Sequence, residues 1–144
     1  MVRVDLVRII VRNPVGEEHS PDQYIFLRER AGHREFPIVI GRFEAEAINR
    51  SIHDRTAVRP MTHDLLHDVV GQLGARVQRV VVSRLEESTF FAELHLETAE
   101  GEERVVDCRP SDAIALAVRA KAALYVSDSV FDQVCSQVFL DLDP

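Results

Sequence analysis

The fold of this chain is organised around one stretch, Asp107-Cys108-Arg109-Pro110-Ser111-Asp112-Ala113-Ile114-Ala115-Leu116-Ala117-Val118-Arg119. Val105 and Val106 lead into it and predict a strand. Pro110 ends that strand because proline has no N–H to give to a ladder. The stretch is therefore predicted to join a strand to a helix.

The helix is expected to run over residues 112–121, with Ser111 as its N-cap, because a serine hydroxyl can accept a free N–H of the first turn. It is apolar nearly all round, which is typical of a buried helix. One partly polar stripe remains, and we expect it to face a cleft or a rim: Asp112, Ala115 and Arg119.

Bulk composition indicates one globular domain covering residues 1–144. The 144 residues are enough for a sizeable core. The formal charge of −7 argues against a general nucleic-acid-binding surface but leaves a local basic cleft open. Residues 1–12 alternate charged and apolar side chains, so no signal peptide is expected, and no apolar run reaches membrane-spanning length. We therefore expect a cytoplasmic protein whose two cysteines are buried thiols.

Hydrophobic periodicity predicts an α+β fold with a mixed, mainly antiparallel sheet and about four helices packed against it. Strands are expected at 2–12, 23–29, 36–40, 77–85, 89–97, 104–108 and 124–126. A turn at 13–16 and an exposed loop at 17–22 follow the first strand. Helices are expected at 43–53, after Thr62, at 112–121 and at about 128–135, and an apolar C-terminal segment occupies 132–144.

The second of these helices carries an apolar stripe that is expected to face the core: Leu65, Leu66, Val69, Val70 and Leu73. Thr62 is its predicted N-cap and Gly74 its C′ residue. His63 and His67 then lie on the flank away from the core. Their spacing resembles the zinc motif His-Glu-x-x-His, but the aspartate is one methylene short and no third ligand is indicated, so we interpret them as exposed histidines.

Four carboxylates fall at predicted strand-to-helix junctions: Glu44, Asp64, Asp107 and Asp112. Clustered carboxylates can hold Mg²⁺ or Mn²⁺ for phosphodiester hydrolysis. They can equally cap helices or pair with arginines, and spacing alone favours this structural interpretation. Arg59 and Arg109 each precede a proline and a predicted N-cap, where an arginine beside free N–H groups could bind a phosphate.

Four motifs together resemble, in order and spacing, the bifunctional nuclease family, over about residues 2–131. They are Gly41-x-x-Glu44-Ala45-x-Ala47-Ile48, Arg59-Pro60-x-Thr62-His63-Asp64-Leu65-Leu66, Phe90-x-Ala92-x-Leu94, and the opening stretch from Asp107 to Arg119. The resemblance implies a single α+β domain with nuclease activity on RNA and DNA. The family commonly has a glycine and then a proline before its Tyr-Val strand. Lys121 and Ala123 stand there in this chain, so the helix end is expected to differ.

The leading hypothesis is a phosphodiesterase that cleaves RNA and DNA. His63 is assigned as general acid or base, because an unperturbed imidazole titrates near neutral pH. The carboxylates Glu44, Asp64, Asp107 and Asp112 are assigned to the catalytic site, where they hold a divalent cation such as Mg²⁺ or orient the arginines. The groups assigned to phosphate binding are Arg59, Arg109, Arg119, Thr62 and Ser111.

Two alternatives remain open from the residues. One is a non-catalytic regulatory or protein-interaction module, in which the charged side chains form an ion-pair network that fixes helix ends. Such a module, like the nuclease, is expected to be a homo-oligomer. The other is a site for a small anionic ligand at the helix N-termini.

Overall fold

A computed structural model describes residues 1–11 and 23–140 of this chain, and side chains up to residue 135. The predicted turn at 13–16 and loop at 17–22 lie outside the described residues. The strands are β1 (Val2–Ile10), β2 (Gln23–Glu29), β3 (Glu35–Ile40), β4 (Arg76–Glu86), β5 (Thr89–Glu97), β6 (Glu103–Cys108) and β7 (Ala123–Val126). The helices are α1 (Arg42–Ile52), α2 (Thr62–Gln72), α3 (Pro110–Ala120) and α4 (Asp128–Leu140).

The described strands form one sheet in the order β3-β2-β1-β7-β4-β5-β6. Neighbouring strands are antiparallel except β4 and β7, which run parallel. The sheet curls, so that Phe36 of β3 stacks on Phe90 of β5 with ring centroids 5.8 Å apart. The predicted α+β class, with a mainly antiparallel sheet, is confirmed.

One core lies between the sheet and the helices. Alternate residues of the strands, such as Ile25 and Val80, are fully buried against it. Ile48 of α1, Ile114 of α3 and Phe131 of α4 complete the same cluster. His95 projects from β5 to the opposite side from Leu94, as the alternation predicts, and is itself buried by neighbouring side chains.

Helix α3 lies at the centre of the helical layer, and its residues from Pro110 to Ala117 are nearly all buried. The prediction that Ser111 is its N-cap is wrong. Arg109 is the N-cap and Pro110 the first helical residue, because the fixed φ of proline suits that position and its missing N–H costs nothing there. Ala115, the middle of the predicted polar stripe, is buried, whereas Asp112 and Arg119 reach the surface.

Helix α2 is turned the opposite way from the prediction. Of its predicted apolar stripe only Val70 is buried, and Leu65, Leu66, Val69 and Leu73 are exposed. Thr62 is the first helical residue and not the N-cap, which is Met61, whose N–H donates to the Asp64 carboxylate. Gly74 follows the C-cap with a φ of +77°, which confirms its predicted place at the helix end.

The last helix is longer than expected. Helix α4 continues to Leu140, five residues past the predicted end near Cys135. No helix within residues 1–11 and 23–140 is long and apolar enough to span a lipid bilayer.

Candidate active site

An open cleft of about 660 Å³ lies where the first turns of α1 and α2 meet the junction between β6 and α3. It falls within the size range of ligand-binding pockets, about 300–1,000 Å³. Its lining combines charged residues with large apolar ones: Phe43, Glu44, Glu46, Arg50, Met61, Thr62, His63, Leu66, Asp107, Cys108, Arg109 and Asp112.

A chain of ion pairs crosses this cleft and joins three helices. Arg109, at the start of α3, donates from one guanidinium nitrogen to Glu44 of α1 at 2.9 Å. Its Nε donates to Oδ2 of Asp112, also at 2.9 Å. The other carboxylate oxygen of Asp112, Oδ1, lies 2.8 Å from Nε2 of His63 on α2. Arg109, the N-cap of α3, and Asp112 in its first turn therefore hold the carboxylate of α1 and the imidazole of α2 in one network.

The Asp112 contact gives the two nitrogens of His63 different roles. The carboxylate accepts the proton on Nε2, which leaves Nδ1 of a neutral ring unprotonated and able to accept a proton. No side chain or backbone group among the described residues bonds Nδ1, and this atom is not fully buried. The His63 side chain is only 12% exposed, so its ring has little freedom to leave this position.

Arg109 is the most open member of the network, with 64% of its side chain exposed. Hydrogen bonds to Glu44, and then to Asp112, raise the pKa of the guanidinium above its ordinary value, so it is charged at every relevant pH. Nε and NH2 are engaged by the two carboxylates, whereas NH1 has no partner among the described residues. The N–H groups of NH1 are therefore available to an anion in the cleft.

Glu44 occupies a space that only a glycine neighbour leaves open. It is the third residue of α1, and Gly41 is the N-cap. A Cβ on Gly41 would lie 2.2 Å from Oε2 of Glu44, which is too close for any real contact. The small residue at 41 thus lets the Glu44 carboxylate fold back toward the helix start and reach Arg109.

Cys108 lines the cleft as a protonated thiol. Burial, followed by the charges of Asp107 and Asp112, raises the pKa of Cys108 to about 11. A thiol with that pKa is a poor nucleophile and a poor metal ligand at neutral pH. Asp107 is exposed and has no hydrogen-bond partner among the described residues, so its carboxylate faces the cleft unneutralised.

The structure separates the remaining predicted site residues from this cleft, apart from Thr62, which lines it. Asp64 lies beside Arg119, with Oδ1 3.3 Å from Nε, in a different depression where α2 meets α3. Arg59 is exposed, and no hydrogen bond or ion pair to its side chain occurs among the described residues. Ser111 is buried and lines a second cavity of about 540 Å³, formed with β3 and the start of β5, which Arg109 also lines.

Sequence reasoning missed the apolar part of the cleft, Phe43, Met61 and Leu66. Phe43 carried a signal, because it lies outside the apolar stripe of α1 that Ala45 and Ile48 define. A large apolar residue on the polar side of a helix indicates a contact other than the core of the same chain.

No group of three or more histidine, cysteine, aspartate or glutamate side chains is arranged to hold a metal ion in the described part of the chain. Glu44 and Asp112, which could contribute oxygen ligands, are both bonded to Arg109.

Known proteins resemble this chain along most of its length. The model of the bifunctional nuclease domain matches residues 25–138. An uncharacterized protein of Mycobacterium tuberculosis is 36% identical over 133 residues, which cover 92% of this chain and 76% of that protein. Bifunctional nuclease 2 of Arabidopsis thaliana is 28% identical over 127 residues, or 84% of this chain and 39% of that protein. Bifunctional nuclease 2 of rice is 28% identical over 131 residues, with 86% and 40% covered.

Proposed function

This chain belongs to the bifunctional nuclease domain family, and on that premise we propose that it hydrolyses phosphodiester bonds of RNA and DNA in the cleft between α1, α2 and α3. The observation that carries the proposal is the line of contacts from Glu44 through Arg109 and Asp112 to His63. These contacts line one open cavity and include a guanidinium, which can bind an anion, and an imidazole, which can transfer a proton, and this combination supports the proposal.

Arg109 is proposed to bind the scissile phosphate. A guanidinium matches the geometry of two phosphate oxygens, and its charge offsets the charge that develops in the transition state. Glu44 and Asp112 hold the guanidinium from one side and leave NH1 for the substrate. Thr62, at the first position of α2, adds a hydroxyl to the same wall.

His63 is proposed to move the proton. Asp112 fixes the ring and stabilises the imidazolium that forms when Nδ1 accepts a proton from the attacking water. As the water oxygen bonds to phosphorus, the bond to the leaving ribose oxygen breaks, and that oxygen takes up a proton from the imidazolium or from solvent. Asp107 and Glu44 carry carboxylates on the same cleft, but Glu44 is bonded to Arg109, so these two residues do not form a ready site for a divalent cation. A comparison of cleavage in EDTA and with added Mg²⁺ measures whether a cation takes part.

The test is His63→Ala. We expect cleavage of RNA and of DNA to fall by about 100-fold to 10,000-fold, the usual contribution of general acid–base catalysis. Activity is measured on labelled oligonucleotides, with EDTA and with added Mg²⁺. The control is His33→Ala, purified identically, since His33 is exposed on the turn between β2 and β3 and does not line the cleft.

Equal activity in His63→Ala, His33→Ala and the unaltered chain would contradict the proposal, because a co-purified nuclease would give that result. Retained activity in His33→Ala with loss in His63→Ala supports it. Asp64 and Arg119 pair with each other away from the cleft, so Asp64→Asn is expected to reduce cleavage less than His63→Ala does.

A second candidate is an interaction module that forms homo-oligomers, and one observation favours it. The outward side of α2 exposes Leu65 (58%) and Leu73 (78%), together with Leu66 and Val69. A contiguous apolar helix face of this kind is typical of a protein–protein contact. Leu66 belongs to both surfaces because it also lines the cleft, whereas Leu65, Val69 and Leu73 do not line it. A protein contact centred on Leu65 and Leu73 is therefore compatible with a functional cleft.

A further inference from the structure

The lining of the cleft combines charged side chains with exposed apolar ones. Phe43 is 75% exposed, and Met61 and Leu66 are also exposed on the same cavity as Arg109 and His63. Single exposed apolar residues are common on protein surfaces, but three of them beside an anion-binding group form a surface with two chemistries. A nucleotide has the same two chemistries, a charged phosphate and a base with apolar faces.

Phe43 is adjacent in sequence to the residue that holds Arg109, the proposed phosphate-binding group. It directly precedes Glu44 in the first turn of α1, and Glu44 bonds Arg109. The two side chains leave the helix about 100° apart and so do not face each other, but both line the same cavity as Arg109. A nucleotide whose phosphate lies on Arg109 can therefore place its base against the ring within one cavity.

Charge alone gives this cleft little attraction for nucleic acid. The carboxylates on its lining, Glu44, Glu46, Asp107 and Asp112, outnumber the guanidinium groups of Arg50 and Arg109. The whole chain carries −7. Since counterion release supplies most of the affinity of basic proteins for duplex DNA, an acidic cleft needs another source of binding.

Stacking on Phe43 is that source. We propose that Phe43 stacks on an unpaired base next to the scissile phosphate, and that the cleft therefore selects single-stranded RNA or DNA over duplex. Within a duplex both faces of a base are covered by its neighbours, so the ring can reach only an unpaired, terminal or extruded base. Every base has such a face, which accounts for activity on both RNA and DNA. The inference rests on the proposed function, because it places the base relative to the phosphate on Arg109.

The experiment measures binding apart from cleavage. Fluorescence anisotropy follows a fluorescein-labelled single-stranded 12-mer and a blunt hairpin of the same stem sequence, whose two strands are joined by a non-nucleotide linker so that it has no loop bases, on the His63→Ala background. We expect the single strand to bind more tightly than the hairpin. Adding Phe43→Ala is expected to weaken single-strand binding by about 5-fold to 100-fold, the usual effect of removing one stacking side chain. Phe43→Trp should retain the binding.

Two readouts separate stacking from a displaced Arg109. Phe43→Ala should leave the slope of log affinity against log salt unchanged, whereas Arg109→Ala should make it shallower, because only the arginine neutralises a phosphate. Val58→Ala removes a fully exposed apolar side chain that does not line the cleft, and should change neither affinity nor slope.

The inference is overturned if Phe43→Ala binds the single strand as tightly as its parent, if hairpin and single strand bind equally well, or if neither probe binds. Tighter binding of the single strand than of the hairpin, when it depends on Phe43, supports the inference even if the purified protein has no cleavage activity. In that case the hydrolytic proposal alone fails. Cleavage that depends on His63 and is indifferent to Phe43 leaves hydrolysis standing and overturns the inference.

Discussion

At the residue scale, the solvent exposure of Arg109 distinguishes a ligand-binding network from a purely structural one. Its partners Glu44 and Asp112 are 15% and 30% exposed, but the arginine side chain itself is 64% exposed. An ion pair that is open to water contributes roughly 0–1 kcal/mol to stability, because solvent screens it. The pairs therefore contribute little to stability, and the exposed guanidinium of Arg109 is accessible to a ligand, so its exposure favours a ligand-binding role.

Arg109→Ala should therefore reduce the stability only slightly but the turnover strongly. We expect the free energy of unfolding in urea to fall by about 1 kcal/mol, and kcat/KM on an oligonucleotide to fall by about 100-fold to 1,000-fold. Arg104→Ala, at an exposed arginine of β6 that pairs with Glu102, is the matched control and should change neither by much. A loss of several kcal/mol with normal turnover per folded molecule would instead support the purely structural network.

Cys108 gives a residue-scale prediction with a defined pH window. Its pKa is raised to about 11 from an ordinary value of 9.0. Below pH 9 the thiol is protonated in both the folded and the unfolded chain, so it adds no pH dependence there. Between pH 9 and 11 it ionises in the unfolded chain first, so stability is lost as pH rises.

Alkylation by iodoacetamide checks this shift, since only the thiolate reacts. Cys108 in the folded protein should react slowly at pH 8 and accelerate toward pH 11, as mass spectrometry of the modified peptide can follow. Asp107→Asn removes one of the charges that raise the pKa and should shift the acceleration to lower pH. Fast reaction of folded Cys108 at pH 8 would show that the thiol is not shielded as the structure indicates.

At the scale of elements, α2 has the orientation that its charged residues require. His63 reaches Asp112 and Asp64 reaches Arg119, so two polar contacts of α2 point at α3. Val70 lies two turns along the same side and is buried. With this side turned inward, Leu65 and Leu73 necessarily point outward. The contacts of His63 and Asp64 with α3 therefore determined the orientation of α2, and burial of its apolar stripe did not.

Helix α3 ends with an unusual residue for its backbone conformation. Lys121 adopts φ 55° and ψ 39°, the left-handed region that glycine adopts most readily. Its N–H still closes the helix by bonding to Val118. The helix end therefore has the shape expected of a glycine cap, although the residue is lysine.

Lys121→Gly should stabilise the protein by about 1 kcal/mol, because it relieves the left-handed strain at the helix end. Lys121→Ala removes the same charge but keeps a Cβ, so it is the control and should not stabilise. Urea unfolding of both variants measures the difference. Equal stability of the two would mean that the backbone at 121 carries no strain.

At the scale of the whole molecule, apolar surface and net charge act in opposite directions. The charge of −7 repels identical chains, whereas the exposed side of α2 favours burial against a partner. We predict that burial of the exposed apolar side of α2 outweighs the charge repulsion, so that the protein self-associates through α2. Raising the salt concentration screens the repulsion and should strengthen association.

Sedimentation velocity over a range of concentrations tests this prediction. The double variant Leu65→Glu and Leu73→Glu should sediment as a monomer, while keeping its far-UV spectrum, because both side chains are exposed. Val39→Glu, at an exposed valine on edge strand β3, should associate like the unaltered chain. A monomeric unaltered protein at all concentrations would exclude the oligomer.

The sequence by itself determined the elements, because periodicity and turn residues act locally. It predicted the order of the strands and helices, their bounds to within about two residues except at the end of α4, the meander of β4, β5 and β6, and the membership of the family. It also singled out Glu44, His63, Arg109 and Asp112, residues whose chemistry is visible in one dimension.

Only the tertiary structure decided which of the singled-out residues meet. Glu44 and Arg109 are 65 positions apart and His63 and Asp112 are 49 apart, so no local pattern encodes either contact. The same packing separated Asp64 and Arg119 from the cleft, left Arg59 without a partner among the described residues, and turned the leucines of α2 to the surface. The physical reason is that the orientation of a helix depends on its contacts with other elements. The sequence of one helix specifies only one partner of each contact.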